Sequence, residues 1–305
     1  MYDSFEQLAE YHACAKLILL GEHFVVHNVP AIALPLKSIR TTVHVSLSHS
    51  KAQLITKLAS ELDLRAQKVF SIAMEKLDID DSCNWRVTVD SQIPVGLGLG
   101  SSAAFAVALI GALARAAGKP LDLFNLNAYA HDLEKIQHGN PSGIDNTVIA
   151  FERPVWFRTG IPAKFLEDET TFRFLLASNG KSDPTRQVVG RVQDFKKINP
   201  TSFDRLCAAA EALTKRGLQA FQHNDARALG QIMDQNHALL CELGVSTPTL
   251  DHLVNIARTN GAIGAKMTGA GGGGFMVALV DRETERQIES ALKANGATIV
   301  LSNCS

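Results

Sequence analysis

The sequence predicts an α+β protein of two domains, and three observations predict it. A chain of 305 residues exceeds what one hydrophobic core usually holds. Its apolar residues alternate between the two-residue period of half-buried strands and the 3.6-residue period of amphipathic helices. Near the C-terminus, two short strand-like runs flank the glycine loop Thr268–Gly274, with helical segments around them, which suggests a sheet covered by helices on one face.

Composition narrows the function. Lys and Arg number 30 against 31 Asp and Glu, a net charge of −1 with no long basic run. Nothing there points to nucleic acid or an anionic membrane surface as a partner. Five cysteines, widely spaced and never in C-x-x-C order, argue against a disulfide framework or a thiolate metal site and for a reducing, cytoplasmic setting. The leading residues MYDSFEQLAE carry no signal-peptide pattern. The longest apolar stretch, Ala103 to Ala114, is shorter than the ~18 residues a membrane span needs.

After a short leader, Ala13 to Gly21 (ACAKLILLG) reads as a strand with one charge inside it, Lys16. A lysine there either snorkels to solvent or delivers its charge to a phosphate or an acid. Glu22, His23 and His27 follow the strand end, where α/β folds commonly hold ligand contacts. Thr41 to Ser48 alternates as a strand, residues 57 to 78 carry a helical pattern, and Trp85 to Ile93 is another alternating strand.

That strand runs into Pro94–Ala104 (PVGLGLGSSAA), and Ser101 to Ala117 continues as a helix. Gly96, Gly98 and Gly100 bare the backbone amides, and a glycine loop opening a helix combines those amides with the positive end of the helix dipole, an anion site. A tight turn under a buried helix is the plainer alternative. The Walker pattern fails for lack of a Lys after Gly100. The dinucleotide pattern is formally met at Gly98, Gly100 and Ala103, and again at Gly269, Gly271 and Gly274. Its context is wrong: Pro94 interrupts the approach, Asp122 opens a helix rather than ending a second strand, and a strand follows the second match. H-R-D and D-F-G, the companions of a protein-kinase glycine loop, are absent.

Asp122 caps a predicted helix to about His138, whose buried stripe is Leu123, Leu126, Ala130, Leu133 and Ile136. His131, Glu134 and His138 share one face, so zinc is conceivable, but no H-E-x-x-H motif or nearby cysteine supports it. Glu134 alone suits a hard cation better. The turn HGNPSGIDN then returns Asp145, either as a proton acceptor or as the cap of a helix starting at Asn146. From about 151 to 171 the pattern lapses, which sets the domains at 1–170 and 171–305. The second domain reads as a strand Phe172–Ala177, helices at 186–196, 202–222, 226–242 and 249–260, strands 263–267 and 275–280, a helix to about 294, and a closing strand 297–301.

Three segments in this order, AKLILLGEHFVVHN, PVGLGLGSSAA and KMTGAGGGG, resemble the motifs of the GHMP small-molecule kinases, and the resemblance spans nearly the whole chain. Within that superfamily G-E-H-x-V-V-H and HGNPSGIDN are similar to the mevalonate kinase family. The resemblance implies an N-terminal domain like ribosomal protein S5 domain 2, a C-terminal ferredoxin-like α/β sandwich, and ATP with Mg²⁺ as cofactors. It implies ATP binding by Pro94, Gly96, Leu97, Gly98, Leu99, Gly100, Ser101 and Ser102, and Mg²⁺ held by Ser102 and Glu134. Asp145 becomes the base on the substrate hydroxyl and Lys16 its electrostatic partner. Glu22, His23, Asp145, Thr268, Gly269 and Ala270 border the substrate, mevalonate or a similar small alcohol. A homodimer is left open.

The sequence departs from the family pattern at Asn28, Leu97, Phe275 and Ser178-Asn179. Asn28 tolerates left-handed backbone, while the others bear on pocket shape and so on the substrate: a mevalonate 3-kinase, a phosphomevalonate kinase or a sugar kinase remain alternatives. A non-catalytic sensor of the same fold is expected to lose an acid or the lysine, yet Lys16, Glu134 and Asp145 are all present.

Overall fold

The computed structural model describes residues 6–80, 82–138, 141–167 and 171–301. Two compact units emerge, and they interleave along the chain: Met1–Ala15, Ile39–Pro94 and Gly100–Glu152 form one, and Lys16–Ser38, Val95–Leu99 and Arg153–Ser305 the other. The single boundary at 170/171 drawn from the sequence does not coincide with this division. Long strands are the reason: β1 (Gln7–Leu20) and β2 (Ala31–Leu47) each begin in one unit and end in the other.

In the first unit, the C-terminal half of β2 pairs antiparallel with β4 (Trp85–Ser91), from Thr41 opposite Ser91 to Leu47 opposite Trp85. The short β3 (Gln53–Ile55) adds parallel to β4. Four helices belong here: α1 (Ser60–Lys76), α2 (Ser101–Ala116), α3 (Leu123–His138) and α4 (Ile144–Phe151). α2 is the hub. Nearly every side chain from Ala103 to Ala114 is buried, and α1, α3 and α4 all pack on it. Small residues make this possible, because Ala and Gly let neighbouring helices approach a helix that is apolar all round. Asp122 accepts a hydrogen bond from the Asn125 amide (2.8 Å), so the predicted cap is present; of the predicted stripe Leu126, Ala130 and Leu133 are buried, whereas Leu123 and Ile136, near the two ends of the helix, are exposed.

The predicted strand at Ala13 starts earlier, at Gln7, and the Leu47 amide donates to the Glu6 carbonyl (3.0 Å). Its first residues are exposed, so hydrophobicity alone carried no signal for them.

The second unit contains a hairpin in the stretch that reads as loop. β5 (Val155–Arg158) pairs with β2 and with β6 (Ile161–Phe165). Pro162 lies in β6, whose one partner among the described strands is β5, so the missing N–H spoils no second ladder. The remaining elements are β7 (Arg173–Ser182), α5 (Thr185–Ile198), α6 (Pro200–Gln222), α7 (Ala226–Glu242), α8 (Pro248–Thr259), β8 (Gly264–Met267), β9 (Gly273–Val280), α9 (Glu285–Ala294) and β10 (Ile299–Leu301). The sheet order is β10-β7-β9-β8, all antiparallel, which is the expected ferredoxin-like arrangement of fourth, first, third and second strand. Its core gathers Leu175, Met276 and Ala278 of the sheet with Leu206, Val254 and Ile288 of the helices. Asp225 and Thr247 cap α7 and α8, and Pro248 occupies the first turn of α8, where its absent N–H does no harm.

β8 is an edge strand, and side chains finish it. Asp234 of α7 accepts from the Ala265 amide (2.9 Å), Arg258 of α8 donates to the Ala265 carbonyl (2.6 Å), and His237 Nδ1 accepts from the Met267 amide (3.3 Å). Groups that a neighbouring strand would satisfy are thus met by two helices, which leaves no sticky edge at those positions.

Candidate active site

The first unit supplies a helix start and two acids. Gly100 takes positive φ (78°) as the N-cap of α2 and offers no side-chain cap, so the first amides of an apolar helix are left to a ligand or water. The Ser102 hydroxyl in that first turn donates a short hydrogen bond to Glu134 Oε1 of α3. Glu134 is buried. One neutral and one ionisable oxygen, side by side at the positive end of α2, make an all-oxygen donor set that suits a hard divalent cation.

Asp145 does not cap α4. The N-cap is Gly143, in left-handed conformation, and Asp145 falls inside the first turn of a helix that begins at Ile144. The capping alternative is therefore excluded; an acid at this position is compatible with the helix dipole and remains partly exposed. Of the zinc alternative, the His138 side chain, like Gly139 and Asn140 of the turn, lies outside the described residues.

The second unit supplies the tip of the phosphate-loop candidate, Val95–Leu99, and a second glycine loop packed on it. A Cβ on Gly269 would sit 3.0 Å from Gly98 Cα and from Gly98 O, and one on Gly274 would sit 2.7 Å from Leu97 O. The repeated G-x-G pattern at 269–274 is thus a backbone-to-backbone support and needs no helix dipole of its own. Gly96, by contrast, meets nothing within 4 Å of where its Cβ would lie. Lys16 is tied to this loop through its amide, which donates to the Leu99 carbonyl (3.0 Å). Its side chain is only 4 % exposed, which rules out the solvent-reaching alternative.

Beside the loops lies a buried polar cluster. The Lys266 ammonium donates to Glu22 Oε1 in a short ion pair, with side-chain exposures of 0 % and 1 %. Burial pulls the Lys266 pKa down, and the Glu22 carboxylate opposes that pull. The same ammonium donates to the Met267 carbonyl (2.6 Å), and Asn236 Nδ2 donates to Glu22 Oε2 (3.2 Å). His23 follows Glu22 with φ 60°, and its Nε2 donates to the Ala270 carbonyl (2.7 Å). Burial depresses the His23 pKa to about 4, so the ring is neutral near pH 7. Thr268 Oγ1 donates to the Ile18 carbonyl (2.9 Å), which fastens the glycine loop to β1.

His237, Cys241 and Asp251 also approach one another, with ligand atoms within 4.8 Å. The Met267 amide requires a lone pair on His237 Nδ1, so the ring proton sits on Nε2, 3.3 Å from Asp251 Oδ1. Ser246 (2.5 Å) and Cys241 (3.4 Å) donate to the same oxygen. The cluster is a hydrogen-bonded anchor for β8. Burial, reinforced by Arg258, lowers the His237 pKa to about 4.

The structure thus brings together Ser102 with Glu134 in one unit, and Leu97, Gly98, Lys16, Glu22, His23, Thr268, Gly269 and Ala270 in the other. Asn28 is left-handed (φ 63°), as its residue type allows. Sequence reasoning passed over Lys266, Asn236 and His237. Lys266 carried the same signal as Lys16, a lone charge in an apolar strand, whereas the two α7 residues have no local signature.

Known proteins match this arrangement. The family model for the GHMP kinases N terminal domain matches residues 64–152, and that for the GHMP kinases C terminal domain matches 218–298. A mevalonate kinase of Pyrococcus horikoshii is 33% identical over 321 residues, covering 96% of this chain and 94% of its own. That of Thermococcus onnurineus is 34% identical, with 96% and 95% covered. Among solved structures, the L. major mevalonate kinase in complex with R-mevalonate superimposes with a TM-score of 0.85 at 27% identity, covering 96% of this chain and 94% of that one.

Proposed function

Since the chain belongs to the GHMP kinases, we propose that it is an ATP- and Mg²⁺-dependent kinase that phosphorylates the 5-hydroxyl of (R)-mevalonate. The observation that carries this reading is the near full-length similarity to mevalonate kinases, in a chain that keeps Lys16, Ser102, Glu134 and Asp145.

Phosphoryl transfer requires positioning and charge neutralisation more than covalent chemistry from the protein. The loop Pro94–Leu99, running into Gly100, Ser101 and Ser102, serves as the cradle for the ATP phosphates through its amides and the α2 dipole. Ser102 and Glu134 would hold the Mg²⁺ ion, which when bound neutralises phosphate charge. Asp145 takes the proton of the substrate hydroxyl as the new O–P bond forms and the bond from the γ-phosphorus to the leaving ADP oxygen breaks. Lys16 supplies the positive charge that stabilises the developing alkoxide. His23, Thr268, Gly269 and Ala270 border the alcohol. The absence of any helix long and apolar enough to cross a membrane among the described residues is in keeping with a small polar substrate and a cytoplasmic setting.

A coupled ADP-release assay over mevalonate, phosphomevalonate, galactose and homoserine tests the proposal. Turnover with mevalonate and background with the others is expected; turnover with another of these alcohols alone overturns it. Phosphorus NMR of the product distinguishes the 5-phosphate from a 3-phosphate.

A further inference from the structure

His23 is the central residue of a turn that proteins rarely use. Its φ of 60° and ψ of −38°, with the Phe24 amide donating back to the Glu22 carbonyl (2.7 Å), describe a positive-φ γ-turn. Such a conformation is costly for a residue with a side chain and persists only where its surroundings over-determine it.

The surroundings that do so are on its two sides. On one, the His23 ring is tied to the Ala270 carbonyl. On the other, Glu22 is turned inward, with Oε1 taken by Lys266 and Oε2 by Asn236. Lys266 in turn spans from Glu22 to the carbonyl of Met267, one residue before Thr268 opens the glycine loop. The ion pair therefore fixes the distance between the turn at residues 21–24 and the loop at 268–270, the two segments that hold His23 between them.

We infer that Glu22 and Lys266 are a positioning pair that holds His23 and the Thr268–Ala270 loop in register for the alcohol substrate, and that Glu22 acts through this pair instead of touching the substrate. The inference deepens the proposed kinase reading and rests on it for the identity of the alcohol. A buried ion pair is a poor device for stability alone, because removing both charges is often neutral, whereas removing one strands the other. Its value lies in direction: two charges and one amide define a single geometry, which an apolar contact of equal size does not.

The test compares Glu22→Gln, Lys266→Met and the double variant with wild type, reading kcat, KM for mevalonate and KM for ATP per folded molecule. The expected result is that Lys266→Met raises the mevalonate KM by about tenfold or more and moves the ATP KM by less than about threefold, with the double variant no worse than the worse single variant, because the geometry is lost once whichever partner goes. A double variant as impaired as the product of the two single effects, or a Lys266→Met enzyme with altered melting but wild-type mevalonate KM, overturns the inference.

Should Lys266→Met not fold, Asn236→Ala is the gentler probe, with an expected rise of about two- to fivefold in mevalonate KM and none in ATP KM; an unchanged mevalonate KM overturns the inference. Nitrogen NMR of the His23 ring gives a reading independent of turnover. The Nε2-protonated tautomer is expected in wild type and a mixed signal in Lys266→Met and in the double variant, and an unaltered signal in Lys266→Met contradicts the pair's role. Wild type that turns over no mevalonate would count against the kinase reading, and the NMR arm would still decide the pairing.

Discussion

Glu134 and Glu22 are both buried carboxylates, 5 % and 3 % exposed, and they sit in different local settings. Glu134 meets a hydroxyl, Ser102, at the start of α2, where an apolar helix presents uncapped amides. Glu22 meets an ammonium and an amide on both its oxygens, beside a strained turn. Burial alone would have grouped them. Position separates them: an acid beside a hydroxyl at a helix N-terminus is placed to share a cation, while Glu22, with both oxygens engaged beside a strained turn, is placed to hold a geometry. On the proposed reading, the first unit holds Glu134 and Asp145 for chemistry, and the second holds Glu22 for geometry.

The largest effect that would break this contrast is at Asp145. Asp145→Asn is expected to lower kcat by about 10² to 10⁴, roughly 3–5 kcal/mol of barrier, with ATP affinity changed by less than about tenfold. Lys16→Met is expected to lower kcat as well, and, on the proposed role of Lys16 in the transfer step, the double variant is expected to be much less impaired than the product of the single effects. Steady-state and single-turnover kinetics on the three variants check this.

Next in size is the metal dependence. Glu134→Gln is expected to raise the Mg²⁺ concentration for half-maximal rate by on the order of tenfold, and Ser102→Ala by less, because a charged oxygen holds a hard cation more firmly than a neutral one. Equal, wild-type Mg²⁺ titrations for both would remove the cation assignment. A chelator stops turnover without unfolding the protein.

Gly269→Ala sharpens the contrast within the second unit. Its φ of 79° and the 3.0 Å approach to Gly98 make a methyl strained as well as crowded. A loss of roughly 1–2 kcal/mol in stability is expected from the conformation, with a rise in ATP KM because the support loop is pushed off its partner. Urea unfolding and ATP titration of one preparation measure both.

The smallest effect is on pH. His23 and His237 are held neutral, with pKa values depressed to about 4. In the unfolded chain a histidine titrates near 6.5, so between about 6.5 and 4 the unfolded state binds more protons than the folded one. Their contribution is fully present above about pH 6.5 and is lost as pH falls toward 4, by roughly a few kcal/mol or less in total. His237→Gln is expected to flatten the dependence of the urea midpoint on pH across that window; an unchanged slope would show that this ring is not held neutral.

Much of this was legible in the sequence where signals are local. The 3.6 period and caps of α7 and α8, the glycine loop entering α2, and the strand pattern of the second sheet are encoded within a dozen residues each. The β5–β6 hairpin was not, because four- and five-residue strands flanked or interrupted by Pro154 and Pro162 carry too little alternation to outweigh the turn residues. The interleaving of the units was hidden for another reason: β1 and β2 each read as one strand, and nothing in a strand's own residues marks where it leaves one core for another. Lys16, Glu134 and Asp145 stood out as charges at element ends or in apolar runs. The partnership of Glu22 with Lys266 spans 244 residues and exists only in three dimensions.

The division between chemistry and geometry is tested most directly by measuring single-turnover rate and thermal melting on the same preparations of Asp145→Asn and Lys266→Met. For Asp145→Asn a near-normal melt with a rate reduced by about 10² or more is expected. For Lys266→Met a lowered melt is expected, with a rate at saturating mevalonate that recovers toward wild type. A normal rate with a lowered melting point in Asp145→Asn would contradict that division.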